Sequence, residues 1–139
     1  MDWKTIRNLE FYTTLSDDAK SALAGLISAA FEGGSNYWYG SLRLDAAPDG
    51  KTKRDYECWY ADVPLDEGGC VSFADLEEPD DSADEDGLYR LDYAKVLLGI
   101  QVMKEFYPQH WEDFINENWD ANTADAFLQC CVFKSVIYG

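Results

Sequence analysis

His110 is the only histidine in the chain. A multi-histidine metal site is therefore excluded, and a catalytic role would require the ring to meet a cysteine through the fold. In "HWED", Asp113 follows three residues later, near enough on a helix to orient the imidazole. A surface histidine after a helix break accounts for the same residues more simply. Asp125 and Gln129 stand at i and i+4 on the most apolar segment, with Asn122 one turn earlier. Such a polar stripe is either a buried, satisfied network that ties the helix to neighbouring loops or an active-site carboxylate with a shifted pKa. No second convergent acid or nucleophile accompanies it, which favours the network. "EGGSNYWYG", residues 32–40, carries two adjacent glycines, but a phosphate loop needs a strand before it and a helix after it. Here a helix comes first, so the stretch reads as a helix stop feeding an aromatic strand. Cys58, Cys70, Cys130 and Cys131 form no CxxC, and an adjacent pair is poorly placed to give one metal two ligands. In a cytosolic setting they are reduced, and in "FLQCCVF" they act as small hydrophobes. No catalytic residue, metal or cofactor is assigned.

Charge is the stronger signal. The chain has 27 acids against 11 bases, a net −16 over 139 residues. Half of that excess lies between residues 75 and 86, where Asp75, Glu77, Glu78, Asp80, Asp81, Asp84, Glu85 and Asp86 meet no cation. A field of this sign repels nucleic acid and anionic membranes and attracts basic protein surfaces. Fully extended, such a stretch spans about 40 Å, along which duplex DNA presents roughly two dozen phosphates. To imitate DNA, other acids would have to align with it, among them Asp62, Asp66, Glu67, Glu112, Asp113, Glu117 and Asp120. A solvated, disordered loop is the ordinary alternative.

Tyr37 and Tyr39, with Tyr56 and Tyr60 on a neighbouring strand, suggest an aromatic outer sheet face. Aromatic platforms that stack bases sit in cationic grooves, so contact with protein is the better functional use here, while strand propensity accounts for the same residues most simply. The expected contact set is thus the acids of 75–86 with Tyr37 and Tyr39.

The elements that position these residues follow from periodicity and caps. Ser16-Asp17-Asp18 opens an amphipathic helix through Leu23, Leu26, Ile27, Ala30 and Phe31, and Gly33-Gly34 supplies the left-handed residue that ends it. "NYWYGSLRL", 36–44, alternates as a strand packed on its Trp38 side, and "APDGK" turns it into a second strand within "RDYECWYADV". "CVSFADL" and "GLYRL" form a further hairpin whose loop is the acidic stretch. Asp92 caps a helix through "YAKVLLGIQVMKEFY" that Pro108 ends or kinks, and "HWEDFINENW" gives a short turn or helix. Asn122 to Asp125 resembles a capping arrangement for a core helix that runs through Phe133. Length predicts a single domain over 1–139. The fold class is α+β, an antiparallel sheet of about four strands covered on one face by helices, with an acidic hairpin loop at 75–86. No long apolar run and no signal peptide at Met1-Asp2-Trp3-Lys4 are present, so a cytoplasmic protein is expected.

"AAFEGGSNYWY", "GGCVSFADLEE", "YRLDYAKVLLGIQVM" and "DANTADAFLQCCVFKSVIYG" resemble, in the same order, blocks of small bacteriophage and prophage proteins without assigned chemistry. Glu32, Gly33, Gly34, Asn36, Tyr37 and Trp38 match the first block, and Asp120, Ala121, Ala124, Asp125, Gln129, Tyr138 and Gly139 match the last. The acidic loop is longer than the resemblance implies, and Lys134 replaces an expected glycine. The resemblance implies a phage setting, in the cytoplasm of an infected bacterium. By analogy with anti-CRISPR and anti-restriction proteins, the partner implied is a host defence protein or ribonucleoprotein complex with a basic surface. Direct nucleic-acid or membrane binding is not expected, and the oligomeric state is left open. The alternative is a small enzyme, using Asp125, His110 or Asn36 in a pocket between helix and sheet, or a sponge for a defence signalling nucleotide.

Overall fold

A computed structural model describes residues 15–77 and 83–139. The Met1 to Lys4 start, Glu78, Asp80 and Asp81 therefore lie outside the described residues. The first helix, α1, spans Asp17–Ala29. The Ser16 hydroxyl accepts from the Ala19 amide at 3.1 Å, and Asp17 and Asp18 face the positive end of the helix. Ala19, Leu23, Leu26 and Ile27 form its buried face. The helix does not stop at a left-handed glycine. It widens into a π turn over Ala30–Gly34, and the positive-φ glycines are Gly50, Gly68, Gly87 and Gly139. Gly34 serves close approach instead, because a Cβ there would stand 2.6 Å from the Ala121 carbonyl oxygen.

Among the described residues, three strands rather than four make the sheet: β1 (Tyr39–Ala46), β2 (Cys70–Asp75) and β3 (Leu88–Asp92), antiparallel in that order. The register of β1 slips between Gly40 and Arg43, where Ser41 takes φ +59°. The strand expected within 54–63 is absent. That segment forms a 3-10 turn at Lys53–Asp55, a short helix α2 at Trp59–Asp62 and a second 3-10 turn at Val63–Leu65. Local side chain to backbone bonds override the strand propensity of its aromatics. Asp55 accepts from the Thr52 amide at 2.7 Å, Thr52 accepts from the Arg54 amide at 3.3 Å, and Asp62 accepts from the Cys58 amide at 3.0 Å.

Asp92 caps α3 (Tyr93–Phe106) by accepting from the Lys95 amide at 2.9 Å. Pro108 starts α4 (Pro108–Ile115), consistent with a ring that tolerates the first helical position but not the interior. The last helix, α5 (Ala121–Phe133), is buried from Thr123 to Phe133. Its cap is Asp120, not Asn122: one Asp120 oxygen accepts from the amides of Asn122 and Thr123 at 3.0 and 3.2 Å. Lys134 ends it at φ +62°, the left-handed position that usually takes glycine. The end of α5 meets the sheet through aromatic contacts. Phe133 lies 5.1 Å from Trp38 and 5.0 Å from Tyr89, and Trp38 lies 5.9 Å from Phe73. Against its other side, α3 crosses so closely at Gly99 that a Cβ there would overlap the Cys131 sulfur. Among the described residues, no helix is long and apolar enough to cross a membrane.

Candidate functional site

Of the residues singled out by charge and by polar striping, Asp75, Asp125 and Gln129 meet at one corner, where the π turn, the end of β2 and the segment after α5 come together. Asp125 is buried and accepts three hydrogen bonds. One oxygen takes the Ser35 hydroxyl and the Trp38 indole N–H, both at 2.8 Å, and the other takes the Tyr37 hydroxyl at 2.6 Å. All three donors are neutral, and all come from the turn that follows α1. Burial, then the Asp125 carboxylate, push the Tyr37 phenol up to about 12, which keeps it a donor.

Gln129, one turn further along α5, holds the C-terminal segment. Its oxygen accepts from the amides of Ile137 and Tyr138, each at 2.8 Å, and its NH2 donates to the Tyr138 carbonyl at 3.2 Å. The Val136 amide donates to the Tyr107 hydroxyl at 2.8 Å. Residues 136–138 therefore form a strap fixed by side chains. Tyr138 turns inward, stacked 5.6 Å from Trp38, and its hydroxyl donates to Asp75 at 2.7 Å. Burial and that carboxylate raise the Tyr138 phenol well above its ordinary value. Strap and acidic stretch share this root.

Each expected contact residue has a definite place. Asp75, half-buried at the end of β2, also accepts from the Glu77 amide at 2.8 Å, and Glu77 is exposed. Asp84, Glu85 and Asp86 are exposed at the far end of the stretch. Asp84 and Asp86 are not free of cations. Arg90 on β3 reaches both at 2.7 Å and Asp45 on β1 at 3.1 Å. Asp86, then Asp84 and Asp45, raise the Arg90 pKa, and Arg90 in turn lowers that of Asp86. The stretch is thus folded back at one end and tethered at the other. Tyr37 is half exposed, whereas Tyr39 turns its hydroxyl to the Phe31 carbonyl and packs on Phe73. The expected tyrosine face does not form, because Tyr56 and Tyr60 lie outside the sheet. Tyr56 donates to Asp66 at 3.0 Å, and Tyr60 donates to Glu32 at 2.7 Å.

Several other acids have local roles. Asp66 also pairs with Lys51 at 3.0 Å, Asp113 accepts from Gln109 at 3.0 Å, Asp62 bonds the Cys58 amide and Asp120 caps α5. His110 contacts Thr123 at 3.3 Å, and Asp113 is engaged by Gln109. Asn36 and Asn122 are exposed.

A cleft of about 540 Å³ lies between α1 and residues 56–66. Its walls include Lys20, Gly25, Ser28, Tyr56, Cys58 and Asp66, and neither Asp125, His110 nor Asn36 lines it. Ser21, Ala24, Gly25 and Ser28, small residues at helical spacing, form its α1 wall and are the sequence feature that could have marked it. Among the described residues no group of His, Cys, Asp and Glu is arranged to hold a metal ion. Comparison of the chain with protein-family models, with curated proteins and with solved structures finds no match.

Proposed function

We propose that the protein is an acidic phage counter-defence factor. In this reading it docks on the cationic surface of a host nucleic-acid-targeting complex, of the kind that anti-CRISPR or anti-restriction proteins block, and competes with DNA or RNA there. The observation that carries the proposal is the concentration of half the net −16 charge in residues 75–86, on a stretch tethered through Tyr138 to Asp75 and through Arg90 to Asp84 and Asp86. Tethering at both ends limits the entropy lost on docking, and the exposed Glu77 and Glu85 steer a basic partner over a Debye length of about 8 Å.

The test is a tagged pull-down from phage-susceptible host lysate at low and moderate salt, challenged with excess duplex DNA. Capture of a nucleic-acid-targeting complex that both salt and DNA displace is the expected result. Capture that DNA does not displace would move the interface away from the nucleic-acid groove. The 540 Å³ cleft favours one second reading, sequestration or turnover of a small defence signalling nucleotide. Saturable binding of such a nucleotide, with or without its conversion, would replace the first reading.

A further inference from the structure

Three of the exposed large apolar side chains, Tyr37, Leu76 and Ile137, belong to segments that meet at the corner described above. Leu76 is 60% exposed, Tyr37 49% and Ile137 46%. The Leu76 amide donates to the Trp38 carbonyl at 2.7 Å, and its side chain lies over Gly40, where an added Cβ would come within 2.9 Å of it. The Tyr37 hydroxyl would be 3.1 Å from a Cβ at Gly139, and Gln129 fixes the Ile137 amide beside Tyr138. Scattered exposed apolar residues are ordinary on a protein surface; a group assembled from three separate segments is the less common case. Tyr37 is held through its hydroxyl by Asp125, and the main chain of Ile137 and Leu76 is fixed by Gln129 and by the Trp38 carbonyl. Rigid apolar anchors lose little freedom on binding and suit the centre of a contact surface.

We infer that Tyr37, Leu76 and Ile137 form the anchoring centre of a docking surface for a basic amphipathic segment of a protein partner. Charge complementarity selects this occupant. Asp75 and Glu77 flank Leu76 in sequence, Tyr138 holds Asp75 at the same corner, and the chain's field is strongly negative. A partner that brought apolar groups without cations would meet this rim unfavourably, and nucleic acid or an anionic membrane would be repelled. The inference rests on the proposal of a cationic partner and moves its anchors from an open tyrosine face to this corner.

The test uses the full chain and two synthetic helical peptides of equal positive charge. One carries Lys and Gln only, and the other has Leu on one face. Fluorescence anisotropy at low and moderate salt gives both affinities. Wild-type protein should bind the Leu-bearing peptide about tenfold more tightly, the scale of one well-buried anchor. Leu76→Ser with Ile137→Ser should erase that preference and leave binding of the Leu-free peptide unchanged. Leu76→Ser alone, at a mostly exposed position, guards against loss of folding and should reduce the preference in part. Asp84→Asn with Glu85→Gln should weaken both peptides alike. Equal binding of the two peptides by wild type, or a preference that survives both serine substitutions, would overturn the anchor assignment while leaving a cationic partner intact. Binding of neither peptide at low salt would overturn both.

Discussion

Replacing Asp125 with alanine tests the central polar network most directly. The change removes the acceptor of the Ser35 hydroxyl and the Trp38 indole N–H, both residues fully buried. Each stranded buried donor costs about 1–3 kcal/mol. Tyr37 adds less, since its side chain is half exposed and its hydroxyl bond is only partly buried. The expected loss is therefore about 4 kcal/mol, a large part of the ~5–15 kcal/mol that holds a domain of this size folded. At roughly 3–5 °C per kcal/mol, the melting temperature should fall by about 15 °C. Asp125→Asn separates acceptor geometry from charge. Its oxygen can still take Ser35 and Trp38, and its amide can donate to the Tyr37 oxygen, so the loss should be about 1 kcal/mol. Urea denaturation followed by tryptophan fluorescence and far-UV circular dichroism reads both. An alanine variant within 1 kcal/mol of wild type would refute the claim that these donors depend on Asp125. An asparagine variant as damaged as alanine would show that charge, not acceptor placement, governs the site.

Other expectations follow from packing and ionisation. Gly99→Ala gains up to about 1 kcal/mol of helix propensity but drives a methyl into Cys131, with overpacking that costs about 1–3 kcal/mol, so chemical denaturation should report net destabilisation. A titrating thiol reagent should modify half-buried Cys58 first and Cys70 more slowly, since burial lifts the Cys70 thiol to about 11. Buried Cys130, lifted to about 12, and Cys131 should react only on unfolding. The Tyr37 phenol is about 10 in the unfolded chain and about 12 in the fold, so the fold holds the proton more tightly. Its contribution to stability is complete below pH ~10 and is lost as pH rises toward 12. Phenolate absorbance during alkaline titration should show one fewer late-ionising tyrosine in Tyr37→Phe.

Local signals in the sequence located much of the secondary structure. Ser16 and Asp92 mark the starts of α1 and α3 because a single side-chain oxygen decides each start within three residues. The hairpin of β2 and β3 and the buried helix through Phe133 were equally visible in periodicity. Residues 54–63 were not, because strand-forming aromatics lie among Asp and Thr side chains that satisfy the backbone locally. The polar stripe of Asp125 and Gln129 could be seen, but its partners could not. Ser35 and Asp125 are 90 positions apart, and no local rule joins them. Nor does composition reveal that Arg90 folds back Asp84 and Asp86, or that Tyr39 turns inward to a backbone carbonyl, since both depend on which side chains the sheet brings together.

The left-handed Ser41 within β1 bears on how the protein behaves at high concentration. An exposed strand with regular hydrogen-bonding groups is a template for another copy's strand, and aggregation by edge-to-edge pairing is its hazard. Each outer strand of this sheet carries a local feature that works against such pairing. The Ser41 irregularity breaks the spacing along β1, and the Lys95 ammonium covers the Arg90 carbonyl of β3 at 3.5 Å. Pairing of these edges between copies of the chain should therefore be disfavoured at high concentration.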